Sequence, residues 1–306
     1  MLYTLTMNPA IDMNVASDSL VSSQVNRTYN AFYSPNGKGI NVSYVLQHYG
    51  LPSTIIGFFG GFSGNYIVHE LEKDALSVHN IEIASESRIN VFLTKGNEEY
   101  KLVNEGPIIP KNKQEEMLAI LEKAKDLTFL CISGSLARGI SEDIYDTILQ
   151  VAARKNCSVI LDISCHKLAS LLSYHPFLIK PNDEEIAEIF GFTIKNEEDA
   201  LVALEMLHQR GAQNILLTLG DKGSYFSNGR EIYYAGVKKV TLYSSACAGD
   251  GALAGFLSIW LWDPAKIREA LLRSAAIGAN VAESNGLGKL EKVEQYSQEI
   301  QIRKVK

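Results

Sequence analysis

The chain of 306 residues has little cysteine and no apolar run long enough to span a bilayer, and both shortages narrow its class. Cys131, Cys157, Cys165 and Cys247 form no C-x-x-C pair and no cysteine–histidine spacing that would hold zinc. The opening MLYTLTMNPAIDMNV lacks the basic-then-apolar layout of a secretion signal, so reduced thiols in a cytoplasm are expected. Six scattered histidines form no H-E-x-x-H motif, and Walker A, G-x-G-x-x-G and G-x-S-x-G strings are missing. A net charge of −6 and the lack of a basic arm argue against nucleic acid as a partner, and no membrane association is expected. With no repeats, low-complexity tracts or evident linkers, a single domain over residues 1–306 is expected.

With 46% hydrophobic and 21% charged residues, the chain can bury an ordinary globular core. From about residue 111 the pattern is regular: helices over 113–125, 142–155, 183–190 and 198–210 alternate with apolar strands over 127–133, 158–163, 177–179 and 214–218. That alternation predicts a parallel sheet covered on both faces. Ligands of such sheets bind beyond the carboxyl ends of the strands. The residues found there are Ser133-Gly134-Ser135, Asp162 and Ser164, Lys180-Pro181-Asn182, and Gly220-Asp221-Lys222-Gly223. Earlier, strands over 2–7 and 53–59 and helices over 37–49 and 65–74 are expected. Residues 13–33 and a hairpin of 89–94 with 100–103, turning through Gly96 and Asn97, predict an accessory β-sheet; a short β excursion of 225–234 and a long helix of 265–282 complete the chain.

Three stretches carry the chemistry. Residues 244–256, SSACAGDGALAGF, place small residues and Asp250 at the start of an apolar helix. Unpartnered amides and the helix dipole make that end suited to an anion, and a carboxylate beside it can take a proton from a hydroxyl. The same residues would also serve as an ordinary helix cap. Residues 34–50, SPNGKGINVSYVLQHYG, put Lys38 between two glycines at another helix start, as an anion site or as a solvated loop. Asn182 and Glu185, three apart, could face a hydrated Mg²⁺ together or simply begin a helix. Asp12, after the first strand, is a candidate acceptor for a ligand hydroxyl or a cap of its own turn.

Together the strings TLTMNPAID, SPNGKGINVSYVL, GFFGGFSG, ISGSLARG, LDIS, IKPNDEE, TLGDKGS and SSACAGDGALAGF resemble, in order, the PfkB branch of the ribokinase-like carbohydrate kinases. Within that branch NPAID, Arg27 and the NEGP at 104–107 look most like the 1-phosphofructokinase and tagatose-6-phosphate kinase group. The resemblance implies a three-layer α/β/α fold with a mainly parallel sheet and a small inserted β-sheet lid, its elements within about 12–34 and 88–106. It implies ATP and Mg²⁺ as cofactors, a sugar phosphate as acceptor, and a homodimer formed through the lid. Asp250 would be the base, with the amides of Cys247, Ala248 and Gly249 as the anion hole. Asp12, Gly37, Lys38 and Asn41 would bind sugar, and Arg27, Arg88 and Ser135 its phosphate. Thr218, Gly220, Asp221 and Gly223 would lie along the nucleotide, and Asn182 and Glu185 would organise Mg²⁺.

The chain departs from the family pattern at several positions. Cys247 stands where G-A-G-D has glycine, Gly251 where serine or alanine is usual, and Asn36 where G-G-K-G has its first glycine. Ala137 replaces a proline and Cys165 a glycine. If the replaced glycine takes positive φ, Cys247 is strained. The leading expectation is phosphorylation of fructose 1-phosphate to the 1,6-bisphosphate, with tagatose 6-phosphate as the rival acceptor. A sugar-phosphate sensor with a weakened catalytic site is the alternative of another class.

Overall fold

The computed structural model of the protein describes residues 1–96, 98–244 and 246–306. Asn97 of the expected hairpin turn and Ser245 of the 244–256 stretch lie outside the described residues. The first part of the chain runs β1 (Leu2–Thr6), β2 (Ala10–Ala16), β3 (Tyr29–Asn36), α1 (Lys38–His48), β4 (Ser53–Gly60), α2 (Gly61–Lys73), β5 (Ser77–Ile83), β6 (Arg88–Lys95) and β7 (Glu98–Leu102). It continues through α3 (Lys111–Lys123), β8 (Phe129–Ser133), α4 (Ile144–Arg154), β9 (Ser158–Asp162), α5 (Leu168–Leu171), β10 (Leu178–Ile179), α6 (Asp183–Phe190), α7 (Glu197–Gln209) and β11 (Ile215–Thr218). It closes with β12 (Ser224–Ser227), β13 (Ile232–Ala235), α8 (Ala248–Trp260), α9 (Ile267–Ala282), α10 (Val293–Ser297) and β14 (Ile302–Lys304).

The main sheet has the strand order β14-β13-β12-β11-β10-β9-β8-β1-β4-β5. From β5 to β11 every pairing is parallel, and β12, β13 and β14 add an antiparallel edge. Successive side chains of each strand point to opposite faces, so the parallel strands need apolar residues at nearly every position. On one face Leu2, Cys131, Ile160, Leu178 and Leu216 pack with α1, α8 and α9. On the other, Leu5, Ile132, Leu161, Ile179 and Leu217 pack with side chains of α3, α4, α6 and α7. The expected three-layer α/β/α arrangement with a mainly parallel sheet is the one observed. Among the described residues no helix is long and apolar enough to cross a membrane.

A second sheet of order β3-β2-β6-β7 combines the two segments expected to form an accessory sheet. β2 pairs in parallel with β6, so that Asp12 lies beside Asn90 and Ala10 beside Arg88. β3 turns Tyr29, Phe32 and Tyr33 outward, each about half exposed. β5, α5, α10 and β14 have no counterpart in the sequence-based expectation. β5 (SVHNIEI) is mostly exposed at the edge of the sheet, where a strand needs no continuous apolar run.

Candidate active site

The carboxyl ends of β1, β8, β9, β10 and β11 converge with the first turns of α1 and α8 on a cluster of buried polar groups. Asp162, at the end of β9, has no exposed surface, and its Oδ1 accepts from both Lys38 Nζ and Lys180 Nζ at 3.1 Å. Burial opposes its charge, but the two ammonium groups outweigh that cost and hold its carboxyl below the usual carboxylate range. Burial likewise works against the Lys38 charge, and the carboxylates of Asp162, Asp250 and Glu185 overcome it, raising its pKa. The Oδ2 of Asp162 is buried with no partner.

Gly37 permits this approach of α1. Its φ is 152°, and a Cβ there would stand 2.5 Å from Thr6 Cγ2 of β1. Lys38 and Asn41, on successive turns of α1, therefore reach across the strand ends. Asn41 Nδ2 donates to Asp250 Oδ2 at 2.8 Å and to Asn36 Oδ1 at 3.0 Å, and lies 3.3 Å from Cys247 Sγ.

Asp250 sits in the first turn of α8 with 7% of its surface exposed. Burial and the charge of Asp162 push its carboxyl up to about 6, against the opposing pull of Lys38, Asn41 and Lys180. Among the described residues the first i→i−4 bond of α8 runs from Gly251 N to Cys247 O at 2.8 Å, and the amides of Cys247, Ala248 and Gly249 lie at this N-terminal end of the helix. A Cβ built on Gly249 would lie 3.5 Å from Lys180 Nζ, which places a cation over these amides. Cys247 has φ 64°, the left-handed conformation that a glycine would adopt without strain. Burial, Asp250 and Asp12 raise its thiol pKa.

On the small sheet, Asp12 is 5% exposed and accepts from Asn90 Nδ2 at 2.8 Å and from Asn36 Nδ2. Burial raises its carboxyl pKa, although Asn90, Asn36 and the charge of Arg88 all act the other way. Arg88 donates to the carbonyls of Asn8 at 3.2 Å and Asn104 at 3.0 Å, and burial lowers its pKa. Ser135 is exposed beyond β8, one residue after Gly134, whose position adjoins the stem of Lys38. Arg27 is exposed on the 17–28 connection. Among the described residues no hydrogen bond joins its side chain to this cluster.

Asn182 and Glu185 form a reciprocal capping box at the start of α6: Glu185 N donates to Asn182 Oδ1 at 2.7 Å, and Asn182 N donates to Glu185 Oε2 at 3.0 Å. Ser164 Oγ donates to the other carboxylate oxygen of Glu185. The pair is thus the helix cap, and it still offers the outer lone pairs of a carboxylate to a hydrated cation. Among the described residues no group of three or more His, Cys, Asp or Glu could hold a metal directly. Thr218 pairs with Asn182 across a β-bridge, and Gly220, Asp221 and Gly223 form the turn after β11 with Gly220 φ 56° and Gly223 φ 94°. A cavity of about 280 Å³ lies on the far side of that turn, against Leu219, Lys222, Tyr225 and Tyr234, away from Asp250.

Sequence reasoning missed Lys180 as a site residue, along with Asn36 and Asn90. Lys180 could have been found from its place directly after a parallel strand. Asn90 carries no local signal, because its role depends on the β2–β6 register.

A carboxylate, the amides at a helix N-terminus, two lysines and a glycine-rich turn gathered at parallel strand ends suit transfer of a phosphoryl group to a hydroxyl. The family description "pfkB family carbohydrate kinase" matches residues 3–293. The chain belongs to the PfkB family of carbohydrate kinases. This PfkB kinase is 46% identical over 302 residues to a D-tagatose-1-phosphate kinase of Klebsiella oxytoca, covering 99% of each chain. It is 33% identical over 306 residues to a 1-phosphofructokinase of Bacillus subtilis, again covering 99% of each. Among solved structures, phosphofructokinase-2 of Escherichia coli in complex with substrates and products superposes with a TM-score of 0.91 at 22% identity, covering 97% of this chain and 98% of that one. At that identity the likeness speaks for the fold.

Proposed function

We propose that this PfkB kinase transfers the terminal phosphoryl group of ATP to the free primary hydroxyl of a ketohexose 1-phosphate, forming the 1,6-bisphosphate. D-tagatose 1-phosphate is the preferred acceptor and its epimer D-fructose 1-phosphate the second. The observation that carries the reading is the buried Asp250 carboxylate at the start of α8, beside the amides of its first turn and with Lys180 over Gly249. The order of acceptors follows the 46% relative over the 33% one, and moves the leading expectation from the fructose to the tagatose ester.

Asp250 accepts the proton of the attacking hydroxyl. The hydroxyl oxygen bonds to the γ-phosphorus as the bond to the bridging oxygen breaks, and ADP leaves with that electron pair. The amides of Cys247, Ala248 and Gly249, with Lys180 and Lys38, hold the charge that spreads over the transferring group. Asp12 and Asn41 fix the sugar, and Arg88, Ser135 and Arg27 face its existing phosphate. Thr218 and the turn of Gly220, Asp221 and Gly223 follow the nucleotide. Asn182 and Glu185 would hold Mg²⁺ through water, and the ion, when bound, neutralises phosphate charge. The small sheet acts as a lid that keeps competing water from the reacting atoms. The half-exposed aromatics Tyr29, Phe32 and Tyr33 of its strand β3 support a homodimer joined there, which light scattering at micromolar concentration tests.

The deciding experiment is a coupled assay of ADP release with Mg-ATP and tagatose 1-phosphate, fructose 1-phosphate, tagatose 6-phosphate, fructose 6-phosphate and fructose. The expected result is a kcat/KM about tenfold or more in favour of tagatose 1-phosphate over its epimer. Preference for a 6-phosphate or for free fructose overturns the reading. Silence on all five, with sugar phosphates still raising Tm, supports a sensor instead.

A further inference from the structure

Two of the positions at which this chain departs from its family's pattern touch each other. Asn36 Nδ2 lies 3.8 Å from Cys247 Sγ, and both side chains stand where the pattern has glycine. Asn36 is half-buried at the end of β3, next to Gly37 and opposite Ala10 of β2. Its Nδ2 donates to Asp12 Oδ2, while its Oδ1 accepts from Asn41 Nδ2 at 3.0 Å; Asn41 in turn donates to Asp250 Oδ2 at 2.8 Å.

We infer that Asn36 is a positioning residue: one amide, hydrogen-bonded at both ends, ties the sugar-facing carboxylate of Asp12 on the small sheet to the Asn41 side chain that holds Asp250. This rests on the reading of Asp250 as the base. The direction of each bond is dictated by its neighbours. Two carboxylates, which only accept when ionised, bracket two amides, so Asn36 must turn its NH₂ to Asp12 and its oxygen to Asn41. Asn41 must then turn its NH₂ to Asn36 and Asp250 together. Glycine at position 36 would leave Asn41 with one fewer anchor, and aspartate would set a second carboxylate against Asp12. Cys247 fills the space beneath both amides, which accounts for a side chain there despite φ 64°. The relay crosses from the small sheet to α1 and α8, so placement of the sugar and orientation of the base are set together.

The test compares wild type, Asn36→Ala, Asn41→Ala and the double variant in the full-length kinase with the best ketohexose phosphate. Asn36→Ala is expected to lower kcat about tenfold or more, and to move the acidic limb of the kcat profile to higher pH by about half a unit or more. The sign follows from loosening the Asn41 Nδ2 bond to Asp250 Oδ2, which favours the ionised base and loses its anchor on Asn36 Oδ1. The other groups facing the two carboxylates are unchanged in these variants: Asp162, Lys38 and Lys180 around Asp250, and Arg88 near Asp12. In the Asn41→Ala background, Asn36→Ala should change kcat by less than about twofold. A loss under about threefold in the wild-type background, or a full loss that persists without Asn41, overturns the relay.

If wild type phosphorylates none of the sugars, the proposed function fails, and the relay is decided by melting temperatures. Asn36→Ala must then destabilise the protein more at pH 8 than at pH 5.5, and this excess must vanish when Asp250→Asn is also present. Equal destabilisation at both pH values, or an excess that survives Asp250→Asn, overturns it.

Discussion

Lys180 Nζ hangs 3.5 Å from the point where a Cβ on Gly249 would stand, while its other side holds Asp162 at 3.1 Å. The cation is therefore fixed over the proposed anion hole by a carboxylate that cannot itself reach solvent.

Replacing Lys180 by methionine keeps the length of the side chain and removes the charge. With one donor to the transferring group gone, kcat should fall about a hundredfold or more, while the sugar-phosphate KM stays within about threefold. Asp162 would keep only Lys38, so Tm should fall as well. A variant that keeps its kcat would remove Lys180 from the reaction centre.

Asp250 titrates at about 6 in the folded chain, whereas an exposed aspartate titrates near about 4. The acidic limb of kcat should therefore lie near pH 6, with activity rising as the carboxylate forms. The stability effect runs the other way. Because the folded pKa is the higher one, the contribution is fully present below about pH 4 and is lost as pH rises through about 6. Asp250→Asn should abolish nearly all turnover yet raise stability at pH 8 by about 2 to 3 kcal/mol, with little gain at pH 4. Denaturant melts at the two pH values check the sign, and a greater gain at pH 4 contradicts it.

Gly251 has a packing reason. A Cβ there would come within 3.0 Å of Ile277 Cγ2 and 3.2 Å of Val281 Cγ2, because α8 lies tightly on α9. Introducing the alanine common in the family should cost about 1 to 2 kcal/mol in a denaturant melt. Neutral Gly251→Ala would mean that α9 yields without cost.

Cys247→Gly should relieve the left-handed strain and raise stability by about 1 kcal/mol, with turnover changed by less than about threefold. A large gain in turnover would instead mark the natural site as weakened. Its thiol, with a raised pKa, should react with iodoacetamide more slowly at pH 7 than an exposed cysteine.

The alternation of apolar strands and amphipathic helices after residue 111 made the parallel sheet legible, since both faces of β8, β9 and β11 are buried. The edges were less so. β5 is largely polar, and β14 is a short three-residue strand that pairs with β13. In the site, Asp250 and Lys38 announced themselves by position at helix starts, whereas Asp12, expected at the exit of the first strand, lies within β2. The capping role of Asn182 and Glu185 was equally local, so the sequence pattern alone left cap and metal site open together. Asn90 acts through a partner far along the chain, and local patterning carries no trace of that contact, whereas Lys180 follows a parallel strand directly. Arg27, named from resemblance, lies exposed on the 17–28 connection.

The parallel pairing of β2 with β6 also bears on the order of folding. Asp12 and Asn90 meet only after α1, β4, α2 and β5 have returned the chain to the same edge, a loop closure of 78 residues. Contacts of that separation form slowly, so Asp12 gains Asn90 later than Asn36, which is 24 residues away, and after the β1–β4–β5 half of the main sheet has assembled. A chain still emerging from synthesis before residue 95 could hold much of that half and still have no place for its acceptor.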